Sequence, residues 1–119
     1  MLRLGSIELG ERPAVAIAIQ QAEAPQALRD AAPDAIVELR IDALDAPTPT
    51  AAADFAKHYV GFPVLATIRH ADEGGGWKGC EAERLACFKA VLPHVDAVDV
   101  EIAVGSIAED VVATARKAG

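Results

Sequence analysis

The chain has 119 residues, of which 52% are hydrophobic, so it can bury the core of one domain and is not a disordered chain. Its formal net charge of −7 argues against a nucleic-acid-binding surface. No apolar run exceeds six residues, far below the roughly 20 needed to span a bilayer, and no signal-peptide pattern opens the sequence. We therefore expect a cytoplasmic protein that binds neither nucleic acid nor membrane.

Alternating apolar and polar residues over Leu2–Leu9, with a Gly-Ser turn, predict a small hairpin. Four buried strands and four helices are predicted to alternate after it. The predicted strands are 14–19, 35–41, 63–69 and 97–102, and the predicted helices are 25–32, 48–58, 81–92 and 106–117. Thr48 before Pro49 predicts a capped helix start, and Ser106 with Glu109 predicts a capping box. Consecutive βα units predict parallel strands in the order 1-2-3-4 with right-handed crossovers.

The side-chain alternation along the strands separates three architectures: an open four-stranded sheet, half of a barrel, or a flavodoxin-like layer cut short. Each strand has one bulky aliphatic face, formed by Val15, Ile17, Ile19, Val37, Leu39, Ile41, Val64, Ala66, Ile68, Val98, Val100 and Ile102. The other faces are small or charged, whereas a doubly wound sheet needs two apolar faces. We therefore expect one α/β domain over 1–119, the (βα)₄ half of a TIM-type (βα)₈ barrel, with its helices on the aliphatic face only.

Charged residues share the opposite face of the predicted strands, near the carboxyl ends. They are Glu38, Arg40, Arg69, Asp99 and Glu101, together with Thr67. Buried ions persist only when they are paired or used, and Arg40 is the expected counter-charge of Glu38. One interpretation is a salt-bridge network that holds the strand ends. The favoured one is a site for an anionic, hydroxylated small molecule, because barrel enzymes place their sites at this end.

Three motifs on these strands resemble the type I 3-dehydroquinate dehydratase family. Val37–Asp42 (V-E-L-R-I-D) is similar to its E-x-R-x-D signature on the second strand. Thr67-Ile68-Arg69 with the later Glu73–Gly76 resembles its T-x-R strand and E-G-G loop. Asp99-Val100-Glu101 is similar to its D-x-E on the fourth strand. The predicted N-terminal hairpin also suits the family, whose barrels carry one under the first strand.

The resemblance implies a lyase of the shikimate pathway that dehydrates 3-dehydroquinate to 3-dehydroshikimate. It implies that Glu38, Arg40 and Arg69 bind substrate, with Glu73 in the E-G-G loop. The family's Schiff-base Lys and general acid/base His lie on later strands, which this chain does not contain. We therefore expect only the substrate-orienting half of the site, no catalytic residue, and no activity of the chain alone. The alternative is a non-catalytic module that binds a small anion or a partner.

Further residues are candidates for a supporting role at the same strand ends. These are Glu73, Lys78, His70, Asp99 and Glu101. The three consecutive glycines, Gly74–Gly76, permit backbone conformations with positive φ angles. Where the family carries a Ser on the first strand, this chain has Ala16 or Ala18, so one polar substrate contact is expected to be missing.

No cofactor is expected, and no His/Cys pair has metal-ligand spacing. The expected ligand is a polyhydroxy carboxylate like 3-dehydroquinate. The first and fourth strands would be open sheet edges without the Pro or Lys that discourages pairing. We therefore expect a homodimer, or a partner chain that supplies strands five to eight.

Overall fold

The computed structural model describes residues 2–20, 25–102 and 107–119. Strands β1 (Leu2–Leu4) and β2 (Ile7–Leu9) form an antiparallel hairpin, which confirms its prediction. Four βα units follow: β3 (Ala16–Ile19) with α1 (Pro25–Ala31), β4 (Ile36–Arg40) with α2 (Pro49–Lys57), β5 (Val64–Thr67) with α3 (Glu81–Val91), and β6 (Ala97–Asp99) with α4 (Ala108–Ala118). Strands β3 to β6 form one parallel sheet in chain order, as predicted.

The helices and the aliphatic side chains of the sheet share a single core. Its buried members include Val37 and Leu39 of β4, Phe55 of α2, Phe88 of α3 and Val111 of α4. The opposite face of the sheet is open at β3, where both alanines, at positions 16 and 18, are exposed. The prediction drawn from strand alternation is confirmed: the fold is four consecutive βα units of a TIM-type barrel, with one face covered.

The predicted core is wrong at the two edges of the sheet. Val15 is 64% exposed and Ile102 is 93% exposed. Each edge strand has only one neighbour, so residues beyond the paired register have little to pack against. The predicted fourth strand is also too long, because β6 ends at Asp99, the last residue paired with β5.

The helix ends follow local capping chemistry. Thr48 caps α2 as predicted, its Oγ1 accepting a hydrogen bond of 3.1 Å from the amide of Ala51, with Pro49 at the first helical position. The predicted third helix is one residue too long, and its last turn tightens into a 3₁₀ helix at Leu92–His94. The predicted cap at Ser106 lies outside the described residues. Within the described ranges, no helix is long and apolar enough to cross a membrane.

The N-terminal hairpin lies at the end of the sheet where the strands begin. Its turn residue Gly5 has φ +56°, and a Cβ there would stand 3.1 Å from the carboxylate of Asp96, directly before β6. The same carboxylate accepts a 2.9 Å hydrogen bond from the amide of Val64 at the start of β5. The described contacts therefore join the hairpin to the strand starts and leave the strand ends free of it.

Candidate functional site

Charged side chains gather where β4, β5 and β6 end. This group, called here the strand-end cluster, consists of Glu38, Arg40, Asp42, Thr67, Arg69, Arg84, Asp99 and Glu101. Most of these residues lie on the open face of the sheet or just past a strand end, and Arg84 reaches the cluster from α3. Because parallel strands present their carboxyl ends at one edge, residues distant in sequence meet here.

Arg40 and Asp42 form a bidentate ion pair. Arg40 donates from Nε to Oδ1 of Asp42 over 3.1 Å and from Nη2 to Oδ2 over 2.8 Å. The direct partner of Arg40 is thus Asp42, which a 3₁₀ turn at Ile41–Ala43 after β4 brings beside it. After Asp42, the nearby Glu38 carboxylate also raises the pKa of Arg40, in line with the expected role of Arg40 as a counter-charge. The Asp42 side chain is 1% exposed and that of Arg40 is 25% exposed, so only the arginine of this pair has appreciable contact with solvent.

Asp42 also links two neighbouring segments of backbone. Its Oδ1 accepts from the amide of Arg69 over 3.1 Å, and its Oδ2 accepts from the amide of Gly76 over 3.0 Å. Burial would raise the pKa of Asp42, but the hydrogen bonds from Arg40 and from these amides outweigh it and hold that pKa below its usual range. The hydrogen bond to Asp42 raises the pKa of Arg40 in turn.

Glu38 has a different partner on the neighbouring strand. The Thr67 hydroxyl donates a 2.9 Å hydrogen bond to Oε2 of Glu38. The other carboxylate oxygen of Glu38, Oε1, has no hydrogen-bond partner among the described residues. Glu38 is half-buried on the open face, so Oε1 is an acceptor available to a ligand, as is Oδ1 of Asp99, which also has no partner among the described residues.

Arg69 lies just past β5 between two acidic side chains. Its Nη2 donates to Oδ2 of Asp99 over 2.9 Å, and its Nη1 donates to Oε1 of Glu101 over 3.3 Å. The side chain of Arg69 is 26% exposed, whereas that of Glu101 is 7% exposed. Like Arg40, Arg69 is therefore an ion-paired arginine whose side chain remains partly exposed.

Glu101 also pairs with a second arginine, Arg84, which reaches it from α3. Its Oε2 accepts from Nη1 of Arg84, which is 2% exposed, and its Oε1 also accepts from the amide of His70 over 3.1 Å. Burial alone would raise the pKa of Glu101, but the hydrogen bonds from Arg84 and from the His70 amide lower it. Burial would likewise lower the pKa of Arg84, yet its bonds to Glu101 and Glu81 raise it.

The glycine-rich loop after β5 approaches the strand ends closely. Of the three consecutive glycines, which all permit positive φ, only Gly74 adopts it, at +84°. Gly75 and Gly76 are required for a different reason, because neither position has room for a Cβ atom. A Cβ at Gly75 would stand 2.1 Å from the carbonyl oxygen of Arg69, and one at Gly76 would stand 2.5 Å from that of Asp42.

Two of the predicted supporting residues remain apart from the cluster. Glu73 and Lys78 are both exposed, and no described contact joins either side chain to Arg40 or Arg69. Lys78 borders a cleft of about 300 Å³ that is also lined by Trp77, Gly79 and, from the cluster, Asp42. Asp99 and Glu101, by contrast, are in the cluster.

His70 adjoins the cluster through its backbone, while its ring faces the loop and α3. Its Nδ1 accepts from the amide of Asp72 over 3.1 Å, and its Nε2 lies 3.7 Å from Oε1 of Glu81.

Sequence reasoning missed the roles of two residues. In the sequence, Asp42 is only the last residue of the E-x-R-x-D motif, and Arg84 belongs to none of the three motifs. A signal for Arg84 was present, because Arg84, Cys87, Phe88 and Val91 share the buried face of α3 at spacings of three, four and seven residues. An arginine on a core stripe requires buried acidic partners.

The cluster combines charged hydrogen-bond donors with a carboxylate acceptor. Arg40 and Arg69, both partly exposed, are charged donors for carboxylate and hydroxyl oxygens, and Glu38 is an acceptor for a hydroxyl. Among the described residues, no three His, Cys, Asp or Glu side chains are grouped as a metal ion would need.

Comparison with known proteins relates this arrangement to one family. The type I 3-dehydroquinase pattern matches residues 14–119. The chain is similar to the 3-dehydroquinate dehydratase of Methanococcoides burtonii, with 36% identity over 106 residues that cover 86% of this chain and 46% of that protein. The corresponding protein of Methanosarcina barkeri is 32% identical over 125 residues, covering 99% and 52%. The chain thus spans about half the length of these relatives. On the extent of these matches, the chain belongs to the type I 3-dehydroquinase family.

Proposed function

We propose that this chain forms the substrate-orienting half of a site that dehydrates 3-dehydroquinate to 3-dehydroshikimate. In this proposal Arg40 and Arg69 donate to oxygens of the polyhydroxy carboxylate, and Oε1 of Glu38 accepts from one hydroxyl. The observation that carries the proposal is the convergence of two partly exposed arginines and an available carboxylate oxygen at the strand ends. The elimination itself requires groups from the remainder of the barrel.

The chemistry of the reaction separates substrate orientation, which this chain can provide, from iminium formation, which it cannot. Iminium formation with a ketone needs a desolvated lysine of lowered pKa. The lysines at positions 57, 78, 89 and 117 are all exposed, and none has a described contact with the strand-end cluster. Orientation of the substrate is therefore the role that this chain's own residues support.

The partner that completes the site must cover two open sheet edges and one open face. Beyond the paired registers, Val15 and Ile102 are large exposed apolar residues beside β3 and β6. We propose that a second polypeptide pairs with these edges. It is a chain that supplies strands five to eight for activity, or a second copy of this chain when no such partner is present.

A fragment-pairing assay tests this function. The second half of the Methanococcoides burtonii protein is produced separately and mixed with this chain, and the conjugated product is followed by its ultraviolet absorbance. We expect dehydration only in the mixture, with Arg40→Lys and Arg69→Lys reducing it at least about tenfold through loss of the bidentate fork. Arg12→Lys, an exposed arginine outside the cluster, is the control and should leave the rate unchanged.

Borohydride trapping with 3-dehydroquinate tests the chain by itself. No covalent adduct is expected. An adduct mapped to Lys78, or turnover without the second fragment, would contradict the division of labour.

The alternative function is a non-catalytic module that binds a small anion or a partner. It is favoured by the fact that Arg40 and Arg69 are already ion-paired within the chain, as in a network that serves structure. Binding of 3-dehydroquinate without turnover in the fragment mixture would support it. We also propose a cytoplasmic location, for which the two free thiols, Cys80 and Cys87, are compatible with a reducing compartment.

A further inference from the structure

The buried arginine of α3 stands behind the strand-end cluster and does not face the open side. Arg84 is 2% exposed, yet its guanidinium has three partners. It donates from Nη1 to Glu101 and to the carbonyl oxygen of Ile68, and from Nη2 to Oε2 of Glu81 over 2.7 Å. A ligand on the open face would meet Arg69, 26% exposed, and would not meet Arg84.

Glu101 connects the two arginines. One of its oxygens accepts from Arg84, and the other accepts from Arg69 and from the amide of His70. While Arg84 occupies Oε2, only Oε1 is left for Arg69, so the guanidinium of Arg69 is shared between Glu101 and Asp99. Without Arg84, both oxygens of Glu101 would compete for Arg69.

We propose that Arg84 is a positioning residue, which fixes the direction of the Arg69 guanidinium through Glu101. Its importance for substrate rests on the proposed function, in which Arg69 contacts the substrate. The orientation itself does not depend on that function. Arg84 acts as a buried anchor at the end of β5, because its bond to Ile68 ties the same guanidinium to the backbone directly before Arg69.

The direct test is the side-chain ¹⁵N NMR signal of Arg69. Ion pairs at both Nη groups slow rotation about the Nε–Cζ bond, so separate Nη signals are expected in the wild-type chain. In Arg84→Met we expect these signals to merge, and in Arg84→Lys we expect partial merging, because an ammonium retains the charge but not the fork. Arg116→Met, which removes an exposed arginine of α4, is the matched control and should change nothing.

A double-mutant cycle separates positioning from general destabilisation. If Arg84 acts through Glu101, then Arg84→Lys adds little further change in Arg69 rotation once Glu101→Gln is present. Additive effects in this cycle would overturn the proposal. So would separate, unchanged Arg69 signals in folded Arg84→Lys, the variant that serves if Arg84→Met does not fold.

Binding of 3-dehydroquinate is measured separately by calorimetry on the fragment mixture, with the lysine of the second fragment that would form the iminium replaced by Met so that the ligand is not consumed. We expect Arg84→Lys to weaken binding several-fold and Arg116→Met to leave it unchanged. If the wild-type mixture does not bind 3-dehydroquinate, the proposed function fails, while the NMR cycle still decides the role of Arg84. If binding is lost only in proportion to thermal stability, Arg84 is structural and the positioning role is refuted.

Discussion

Asp42 connects three parts of the site. It joins the end of β4 to the second residue after β5 and to the glycine-rich loop, through Arg40 and the amides of Arg69 and Gly76. Its side chain is 1% exposed. A carboxylate so deeply buried depends on its donors to remain ionised, because desolvation disfavours the charged form. Changes to those donors therefore affect stability as well as recognition.

Substitution of Arg40 tests this dependence. In Arg40→Ala, Asp42 keeps two amide donors but loses its counter-charge. We expect the free energy of unfolding to fall by about 3 kcal/mol, near the lower end for a broken buried pair. Arg3→Ala, which breaks the exposed pair with Glu8, should cost less than about 1 kcal/mol. Urea denaturation measures both, and an unchanged midpoint in Arg40→Ala would mean that solvent already screens the pair.

The pH dependence of stability follows from two carboxylates. Folding lowers the pKa of Asp42 and that of Glu101 from their ordinary values of 3.8 and 4.5. The unfolded chain therefore binds more protons in this range, so these groups stabilise the fold above their ordinary pKa values. Their contribution is lost as the pH falls through the lowered values.

We expect the free energy of unfolding to decline as the pH falls below about 5. Asp42→Asn should flatten that decline, because it removes one of the two groups. Asp54→Asn removes an exposed carboxylate and should leave the slope as it is. Denaturation curves at a series of pH values make the comparison. A wild-type slope retained in Asp42→Asn would assign the acid sensitivity to other residues.

At the scale of elements, sequence patterns predicted the order and type of all four βα units but not how the strands end. Strand alternation placed Glu38 and Arg40 on the open face because a two-residue period requires only local geometry. It did not reveal that a 3₁₀ turn brings Asp42 beside Arg40. It also did not reveal that Glu101 lies beyond β6, where partners 17 and 32 residues earlier in the sequence hold it. These features depend on tertiary contacts.

Substitutions in the glycine-rich loop test how closely this loop packs against the end of β5. In Gly75→Ala, a methyl group would meet the backbone of Arg69. We expect this variant to lose at least about 2 kcal/mol of stability and to shift the amide signals of Arg69 and Gly76. Gly74→Asn, in the same loop, should cost less than about 1 kcal/mol because Asn tolerates positive φ. Similar costs for both would show that the loop moves freely.

At the scale of the whole molecule, the open edges govern association. Strands β3 and β6 each have one neighbour in the described sheet, and each leaves one row of backbone groups unpaired. Two copies joined at both edges would form eight parallel strands, but they would also bring two strand-end clusters together. The excess of carboxylates over guanidiniums in each cluster opposes complete closure.

We expect the purified chain to be a homodimer, with a light-scattering mass near twice 12.4 kDa. Ile102→Lys should shift it towards the monomer, because a charge beside β6 would be desolvated on pairing. Val60→Lys, at a residue 65% exposed away from the edges, is the matched control and should remain dimeric. A stable monomer at micromolar concentration would show that the edges are protected.

The order of the strands in the sheet is also their order along the chain. Each strand therefore pairs with the strand of the βα unit synthesised immediately before it, and none requires a segment that is distant in the sequence. During synthesis, the βα units can dock one after another as they leave the ribosome. Pairing between nearby segments keeps the entropic cost of loop closure small. The strand-end cluster, which needs Glu101, is then completed last, so the site assembles on a sheet that has already formed.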